Sequence, residues 1–183
     1  MPIVRILKGQ LLDLRPLRAD DFNDLYAVAA DRLIWEQHPV KDRYNVEVFK
    51  AFFREALESD GTLIATDVKD GQVIGSSRFH GYDEKKSEIE IGWTFLARSH
   101  WGGIYNGEMK KLMLRHAFRL VNSVIFLVGP QNFRSQRAVE RIGGVRAGLR
   151  ADAGGRNSFM YQITASAFAK QGSGGQFLHT CDC

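Results

Sequence analysis

The chain has 183 residues, of which 44% are hydrophobic and 25% are charged, and this is the composition of an ordinary globular domain. A chain of this length can bury a core of its own, which excludes collagen-like, disordered and disulfide-stapled classes of protein. The net charge of +4 is spread along the chain without a run of five basic residues, so the sequence gives little support to nucleic acid as a partner.

Cysteine content and hydropathy predict the cellular compartment of the protein. Cys181 and Cys183 are the only cysteines, and a body free of cysteine fits a reducing compartment. No segment approaches the ~18 apolar residues of a membrane span, and the apolar run at the N-terminus is too short for a signal peptide. We therefore expect a cytoplasmic protein with no membrane partner. Together with His179, the cysteines do not make a zinc site, so no metal is expected.

The first half of the chain predicts both helices and strands. Apolar residues at helical spacing predict one helix after Asp20 or Asp21 and a second after Asn45, which can serve as its N-cap. Residues 32–44 between them have no regular pattern. Strands are predicted where apolar residues alternate or run together, at 11–17, 62–68, 72–79 and 88–96.

The second half opens with a long amphipathic helix after Gly103. Its apolar stripe runs through Met109 and Met113, whereas Lys110 and Lys111 lie off that stripe. The remaining predicted elements follow in chain order: a strand at 124–128, a helix after Asn132, and strands at 145–150 and 158–163.

These elements predict an α/β protein of the mixed α+β kind. Its central sheet is expected to be mixed, with six to seven strands and flanking helices. The domain is expected to span residues 1–165. Residues 166–183 include the linker-like segment G-S-G-G-Q and are predicted to be a flexible tail.

A glycine turn connects the strand at 88–96 to the long helix. The first amides of a helix lack internal partners and point along the positive end of its dipole. Gly102 and Gly103 let the backbone approach an anion closely, so the turn is a candidate phosphate cradle. A plain structural turn is the alternative that these residues alone leave open.

Two motifs near this turn are arranged as in a known family. The first is Glu90-Ile91-Gly92-Trp93, followed by Trp101-Gly102-Gly103-Ile104-Tyr105-Asn106-Gly107-Glu108. The second is N-F-R-S-Q-R-A-V-E-R-I-G at 132–143. Over residues 11–163 the chain resembles the GNAT superfamily of N-acetyltransferases. The RimJ/RimL type, which acetylates protein N-termini and other amines, is the branch it resembles most.

The resemblance implies the GNAT fold, whose mostly antiparallel sheet is splayed between the strands at 88–96 and 123–128. It also implies acetyl-CoA as cosubstrate. The acetyl group would pass by direct attack to a primary amine, either a protein N-terminus or a small molecule. Because the family is often dimeric, a homodimer is a candidate assembly.

The resemblance also implies catalytic roles for two residues. Glu90 matches the strand glutamate that removes a proton from the acceptor amine through water, which acetyl transfer requires because an ammonium cannot attack a thioester. Ser135 matches the serine that protonates the departing thiolate, and Asn132 matches a contact to the pantetheine arm. The alternatives are a solvated carboxylate for Glu90 and helix capping for Asn132 and Ser135.

The implied acetyl-CoA site combines backbone groups with positive charge. Backbone groups of Trp93, Thr94 and Phe95 would pair with pantetheine as an added strand does. The segment from Trp101 to Asn106 would offer amides to the diphosphate through Gly102, Gly103, Ile104, Tyr105 and Asn106. Arg98 and Arg137 would contact the phosphates. Arg134, Arg137 and Arg141 make a stripe at helical spacing, for which a solvated face is the alternative.

The irregular segment 32–44 corresponds to the wall of the acceptor site in this family. Trp35, His38 and Tyr44 are its candidate substrate contacts, and Arg43 lies among them. Aromatic residues in such a segment can instead close the edge of the core.

Ile104 departs from the family pattern, which has a glycine there. At a positive φ, isoleucine would cost on the order of 1–2 kcal/mol, whereas a helical φ would leave only the bulk of its side chain near the phosphates. This position therefore favours an alternative function, a catalytically impaired GNAT-fold protein that binds CoA or a protein partner.

Overall fold

The structure is a computed structural model that describes residues 6–152 and 154–173. The described residues form one sheet of eight strands and five α-helices. The strands are β1 (Leu7–Lys8), β2 (Leu12–Pro16), β3 (Thr62–Asp67), β4 (Val73–Asp83), β5 (Glu88–Leu96), β6 (Ser123–Val128), β7 (Val145–Ala151) and β8 (Asn157–Thr164). The helices are α1 (Phe22–Ala29), α2 (Val46–Glu58), α3 (Ile104–Ala117), α4 (Phe133–Arg141) and α5 (Ala165–Ser173).

The strands lie in the order β1-β2-β3-β4-β5-β6-β8-β7. Neighbouring strands are antiparallel except β5 and β6, which run parallel. The predicted mixed, mostly antiparallel sheet is confirmed, with eight strands in place of six to seven. The additional strand β1 has two residues, which is too short to leave a hydrophobic pattern in the sequence.

Each face of the sheet carries its own apolar cluster. On one face α3 buries Met109 and its apolar neighbours against the strands. On the other face α1 and α2 pack aromatic residues, among them Phe49 and Phe52, against the sheet. Asn45 begins α2 as predicted, because its side chain accepts a hydrogen bond of 2.9 Å from the backbone N–H of Glu47. In the part of the chain that the structure describes, no helix is both long and apolar enough to cross a bilayer.

The end of the domain differs from the prediction. Residues 166–173 were expected to begin a flexible tail, but they belong to α5. Phe168 anchors this helix, since its ring lies 5.3 Å from that of Phe118. One aromatic anchor does not produce a helical pattern in a sequence. The prediction of a flexible tail therefore follows from the glycine-rich composition of this segment. The rest of the expected tail, 174–183, lies outside the described residues.

The parallel strands β5 and β6 separate soon after they meet. They pair at three positions, from Glu88 opposite Ser123 to Glu90 opposite Ile125, and beyond Glu90 the two strands have no further pairing. The divergence leaves an edge of β5 without a partner strand in the interior of the sheet. The splayed sheet expected from the resemblance is therefore present, and it opens between the predicted strands.

Glu108 joins α3 to the beginning of the sheet. Its carboxylate accepts hydrogen bonds from the backbone N–H groups of Gln10, Leu11 and Leu12, at 2.8, 2.7 and 3.0 Å. These amides belong to the turn between β1 and β2 and to the first residue of β2. The motif glutamate therefore has a structural role, because it fixes the start of α3 to the sheet.

We expect Glu108→Ala to lower the free energy of unfolding by about 2–3 kcal/mol, because three backbone donors lose a charged acceptor. The free energy of unfolding of Glu108→Gln should lie between those of the wild-type protein and of Glu108→Ala, since a carboxamide keeps one acceptor oxygen. Urea unfolding measures both. Glu84→Ala, which removes an exposed carboxylate in the β4–β5 turn, is the control and should change stability by less than about 0.5 kcal/mol. Equal effects of the two alanine variants would contradict the role of Glu108.

Candidate active site

A β-bulge in β5 lies beside the divergence. Two β5 residues, Trp93 and Thr94, are opposite the single β4 residue Ser77, and Trp93 has a φ of 50°. The extra residue shifts the alternation of side chains between the two faces by one position from Trp93 onwards. Trp93 packs with the α1–α2 cluster, whereas the Thr94 hydroxyl turns towards α3. The bulge thus shapes the backbone segment that the sequence assigned to the pantetheine arm.

Lys110 of α3 is buried beneath this bulge. Its ammonium donates hydrogen bonds to the hydroxyls of Ser77, at 2.9 Å, and of Thr94. It also lies 5.8 Å from the ring centre of Phe126 on β6. Burial lowers the pKa of Lys110 to about 7. The prediction that Lys110 lies off the buried stripe is wrong, because two hydroxyls on the sheet give it partners that a helical pattern does not reveal.

Glu90 is at the vertex of the divergence, on the face opposite Lys110. Its carboxylate bends over Gly92, where a Cβ atom would come within 3.1 Å of Oε1. No described residue donates a hydrogen bond to this carboxylate, and burial, with the negative charge of Asp152, raises the pKa of Glu90 to about 7. A carboxylate with this pKa can accept and release a proton at neutral pH.

Glu88 has the same orientation as Glu90 but a different environment. Its Oε1 accepts a hydrogen bond of 2.7 Å from Arg150 of β7, and its side chain is 12% exposed. The ion pair occupies this carboxylate and links the side chains of two strands that are not neighbours in the sheet. Of the two strand glutamates, Glu90 is therefore the one that is free to act on a substrate.

The glycine turn has the geometry of an open cradle. Gly102 and Gly103 have φ values of 103° and 107°, which favour glycine, and no atom lies within 4 Å of a Cβ built on Gly102. Ile104 is the first residue of α3, and its side chain is 66% exposed. Because Ile104 has a helical backbone, the strain that a positive φ would impose on isoleucine does not arise.

The side chain of Tyr105 anchors the cradle to the sheet. Its hydroxyl donates a hydrogen bond of 3.0 Å to Asp67 of β3, and Nε2 of His100 lies 3.0 Å from the same carboxylate oxygen. The rings of His100 and Tyr105 pack edge to face at 4.6 Å. The contacts among His100, Tyr105 and Asp67 therefore fix both ends of the turn. Asn106, in the first turn of α3, is half-buried.

Arg98 and Arg137 are the arginines predicted to contact the phosphates, and two other arginines lie beside the cradle. Arg98 forms an ion pair with Asp31, and Arg137 is exposed. Arg134 stacks on the ring of Trp101 at 4.1 Å, and Arg141 has a guanidinium nitrogen 3.7 Å from the position of a Cβ on Gly103. Both side chains reach from α4 towards the start of α3, where Arg134 is half-buried and Arg141 remains exposed.

The beginning of α4 holds both residues predicted there. The side chain of Asn132 accepts a hydrogen bond of 3.1 Å from the backbone N–H of Ser135, so Asn132 is the N-cap of this helix. Its carbonyl oxygen is used in the cap, which leaves the amide nitrogen free for a ligand. Ser135 is half-buried, and none of the hydrogen bonds among the described residues involves its hydroxyl.

The segment 32–44 packs along the edge of the core, and each of its three predicted substrate residues has contacts within the protein. Trp35 is 2% exposed, donates a hydrogen bond of 2.7 Å to the carbonyl of Ala29 and packs on Phe95, so it closes the edge of the core. Tyr44 packs beside α1, and its carbonyl accepts the hydroxyl of Tyr26. His38 lies edge to face with Trp35 and accepts a hydrogen bond of 3.2 Å from Arg43.

Comparison with known proteins assigns this arrangement to a family. Residues 12–145 match the family model of the acetyltransferase (GNAT) domain. The chain belongs to the GNAT family of acetyltransferases. It is thus an acetyl-CoA-dependent N-acetyltransferase, and the predicted enzyme class and cosubstrate are confirmed. No curated protein matches the chain.

Solved structures share this GNAT fold at low sequence identity. A GNAT-family acetyltransferase from Bacillus anthracis is 19% identical with a TM-score of 0.71, over 87% of this chain and 98% of that one. A GCN5-related N-acetyltransferase from Brucella melitensis is 21% identical with a TM-score of 0.75, over 90% and 80%. RimJ from Mycobacterium smegmatis, solved with CoA-disulfide, is 21% identical with a TM-score of 0.64, over 93% and 92%.

Several residues of this GNAT site were not predicted from the sequence. Lys110, Arg134 and Asp67 act through contacts between elements that are distant in the chain. Arg78 could have been singled out from the sequence, because it is the only charged residue of the predicted strand 72–79. Among residues 6–152 and 154–173, no three metal-ligating side chains come together.

We expect Lys110→Met to change how stability depends on pH. The folded pKa of Lys110 lies below its ordinary value of 10.5, so this lysine costs stability as pH falls from about 10.5 to about 7, and the cost is constant below that range. When the pH is lowered from 10 to 7, the free energy of unfolding of the wild-type protein should fall by about 3 kcal/mol more than that of the variant. Urea unfolding at the two pH values measures the difference.

The neighbouring variant Lys111→Met removes an exposed lysine from the same helix and is the control. It should retain the pH dependence of the wild-type protein. If Lys110→Met and Lys111→Met give the same pH dependence, the ammonium of Lys110 titrates normally and is not buried in solution.

Proposed function

We propose that the protein transfers the acetyl group of acetyl-CoA directly to a primary amine, as RimJ/RimL-type enzymes do, with a protein N-terminus or a small molecule as acceptor. The observation that carries the proposal is the Glu90 carboxylate. It is largely buried at the vertex of the divergence, with no hydrogen bond from the described residues and a pKa raised to about 7. A buried carboxylate without a structural partner is typical of a catalytic base.

Acetyl-CoA supplies the activated acetyl group, and the residues of the cradle fit its diphosphate. The turn at Gly102 and Gly103 is open, it lies at the start of a 14-residue helix, and Arg141 is beside it. The unpaired edge of β5 around Trp93, Thr94 and Phe95 offers backbone groups to the pantetheine arm. The amide nitrogen of Asn132 can add a hydrogen bond from the other side of the opening.

In the proposed reaction the acceptor nitrogen forms an amide bond to the acetyl carbon while the bond between that carbon and sulfur breaks. Glu90 takes a proton from the nitrogen, through a water molecule, before or during the attack. Ser135 donates its hydroxyl proton to the thiolate and regains a proton from solvent, and Glu90 releases to solvent the proton taken from the amine. The position of Ser135 at the start of α4 supports this role, because the cap at Asn132 fixes the helix end while leaving the Ser135 hydroxyl free.

The pH dependence of the reaction tests Glu90. Because only the ionised carboxylate accepts a proton, kcat/KM for an acetylated amine should rise with pH through about 7 and then level off. Glu90→Gln should lower kcat about 100-fold or more and remove this rise. Steady-state assays of released thiol, with mass spectrometry of the acetylated amine, measure both effects.

Glu88→Gln is the matched control, since it removes the neighbouring carboxylate of the same strand face. This variant should keep the rise and shift its midpoint slightly lower, because the charge of Glu88 contributes to the raised pKa of Glu90. A wild-type rise that persists in Glu90→Gln would show that another group is the base.

CoA binding tests whether Ile104 impairs the cradle. Since Ile104 is helical and 66% exposed, we expect Ile104→Gly to change the Kd of CoA by less than about threefold. Gly103→Ala should weaken binding about tenfold, because alanine is strained at a φ of 107°. Isothermal titration calorimetry measures both. A large gain in affinity for Ile104→Gly would instead favour the catalytically impaired protein as the function.

A further inference from the structure

Two buried arginines lie on the same face of the sheet as Glu90. Arg43 and Arg78 are 9% and 4% exposed. Both guanidinium groups pack against the ring of Phe52, at 4.5 and 5.6 Å, and Arg78 also lies 4.7 Å from the ring of Trp93. The two cations therefore share one aromatic neighbour, and each disfavours the charge of the other.

Neither arginine has a carboxylate partner among the described residues. Arg43 donates to His38, and Nε of Arg78 donates to the Thr62 hydroxyl at 3.0 Å. Nη2 of Arg78 is buried without any hydrogen-bond partner. Glu55, which is exposed on α2, attracts both guanidinium groups but forms no ion pair with either. Buried charges are normally paired, so two unpaired cations indicate an anion that the protein itself does not supply.

These cations are close to the proposed base. Arg78 is directly opposite Gly92 in the β4–β5 ladder, and the carboxylate of Glu90 bends over Gly92. Glu90 and Arg78 attract each other, yet they form no ion pair. If the nitrogen of an amine is bound at Glu90, atoms a few bonds from that nitrogen would therefore lie next to Arg78. Arg43 would lie farther along, on the other side of the Phe52 ring.

We infer that the acceptor amine carries a carboxylate a few bonds from its nitrogen, and that Arg43 and Arg78 bind this carboxylate while Glu90 receives the amine. The inference rests on the proposed function and specifies its substrate class. Guanidinium groups suit this task because they present several N–H donors in a plane that matches a carboxylate. The same chemistry occurs in a free amino acid, through its α-carboxylate, and in a peptide whose first residue is acidic.

Paired substrates test the inference. The wild-type enzyme is assayed with acetyl-CoA and each common amino acid against its own carboxamide, which removes the negative charge and keeps the carbon skeleton. A second arm uses peptides with amidated C-termini. It compares those that begin with Asp or Glu with those that begin with Asn or Gln. In one of the two arms we expect kcat/KM to be at least tenfold higher for the substrate with the carboxylate than for its uncharged counterpart. The arm in which this occurs shows whether the carboxylate belongs to a free amino acid or to the first side chain of a peptide.

Variants test whether the arginines cause the preference. Arg43→Met should reduce, at least tenfold, the ratio of kcat/KM for each carboxylate substrate to kcat/KM for its carboxamide. Its melting temperature should not fall, because an unpaired buried charge is replaced by an apolar chain. Arg54→Met, which removes one positive charge from the exposed face of α2, the helix that carries Phe52, is the control and should keep the preference. If Arg43→Met unfolds, Arg78→Lys, which keeps the charge but loses the planar donors, is measured instead.

The outcomes separate the two proposals. Acetylation of amines with no preference for a carboxylate, or a preference that survives in Arg43→Met, overturns the inference and leaves the proposed function intact. If no amine is acetylated although CoA binds, the proposed function fails. Calorimetric binding of N-acetyl amino acids against their carboxamides then decides the inference alone: tighter binding of the acids supports it, and equal binding overturns it.

Discussion

The divergence of β5 and β6 after Glu90 is the constraint on which the rest of the site depends. Backbone N–H and C=O groups inside a protein need partners, and a strand that loses its neighbour in the middle of a sheet is costly unless something replaces that neighbour. Here three paired positions hold the two strands together, and the next residues of β5 form a bulge. In the proposed function the pantetheine arm of acetyl-CoA pairs with this edge and takes the place of the missing strand.

Elements around the opening are fixed by polar contacts rather than by apolar packing alone. Glu108 ties the start of α3 to the β1–β2 turn, and Tyr105 ties it to β3 through Asp67. Lys110 holds the bulge from below through Ser77 and Thr94. Burial of the Lys110 ammonium is costly, so this part of the geometry is retained at the expense of stability. Such a compromise is common where function requires a defined shape.

Buried charges divide the site by task. Glu88 is neutralised by Arg150 and is structural, whereas Glu90 on the same face has no such partner. Arg98 is neutralised by Asp31, whereas Arg43 and Arg78 are not neutralised by any described carboxylate. Residues of the same type therefore differ in role according to whether the protein has already supplied their counterion. Glu90, Arg43 and Arg78 lie on the face of the sheet that carries α1 and α2, whereas Lys110, which also lacks a carboxylate partner among the described residues, lies on the other face.

The sequence by itself determined the order of strands and helices, the glycine turn before α3, the cap at Asn132 and the family, because these depend on local periodicity and short motifs. It did not determine the two-residue strand β1 or helix α5, whose stability comes from distant partners. It also did not determine that Lys110 is buried, that Arg134 stacks on Trp101, or that Arg43 and Arg78 lack counterions. Only the tertiary structure decides such properties, because the solvation and pairing of a charge depend on which residues the fold brings next to it.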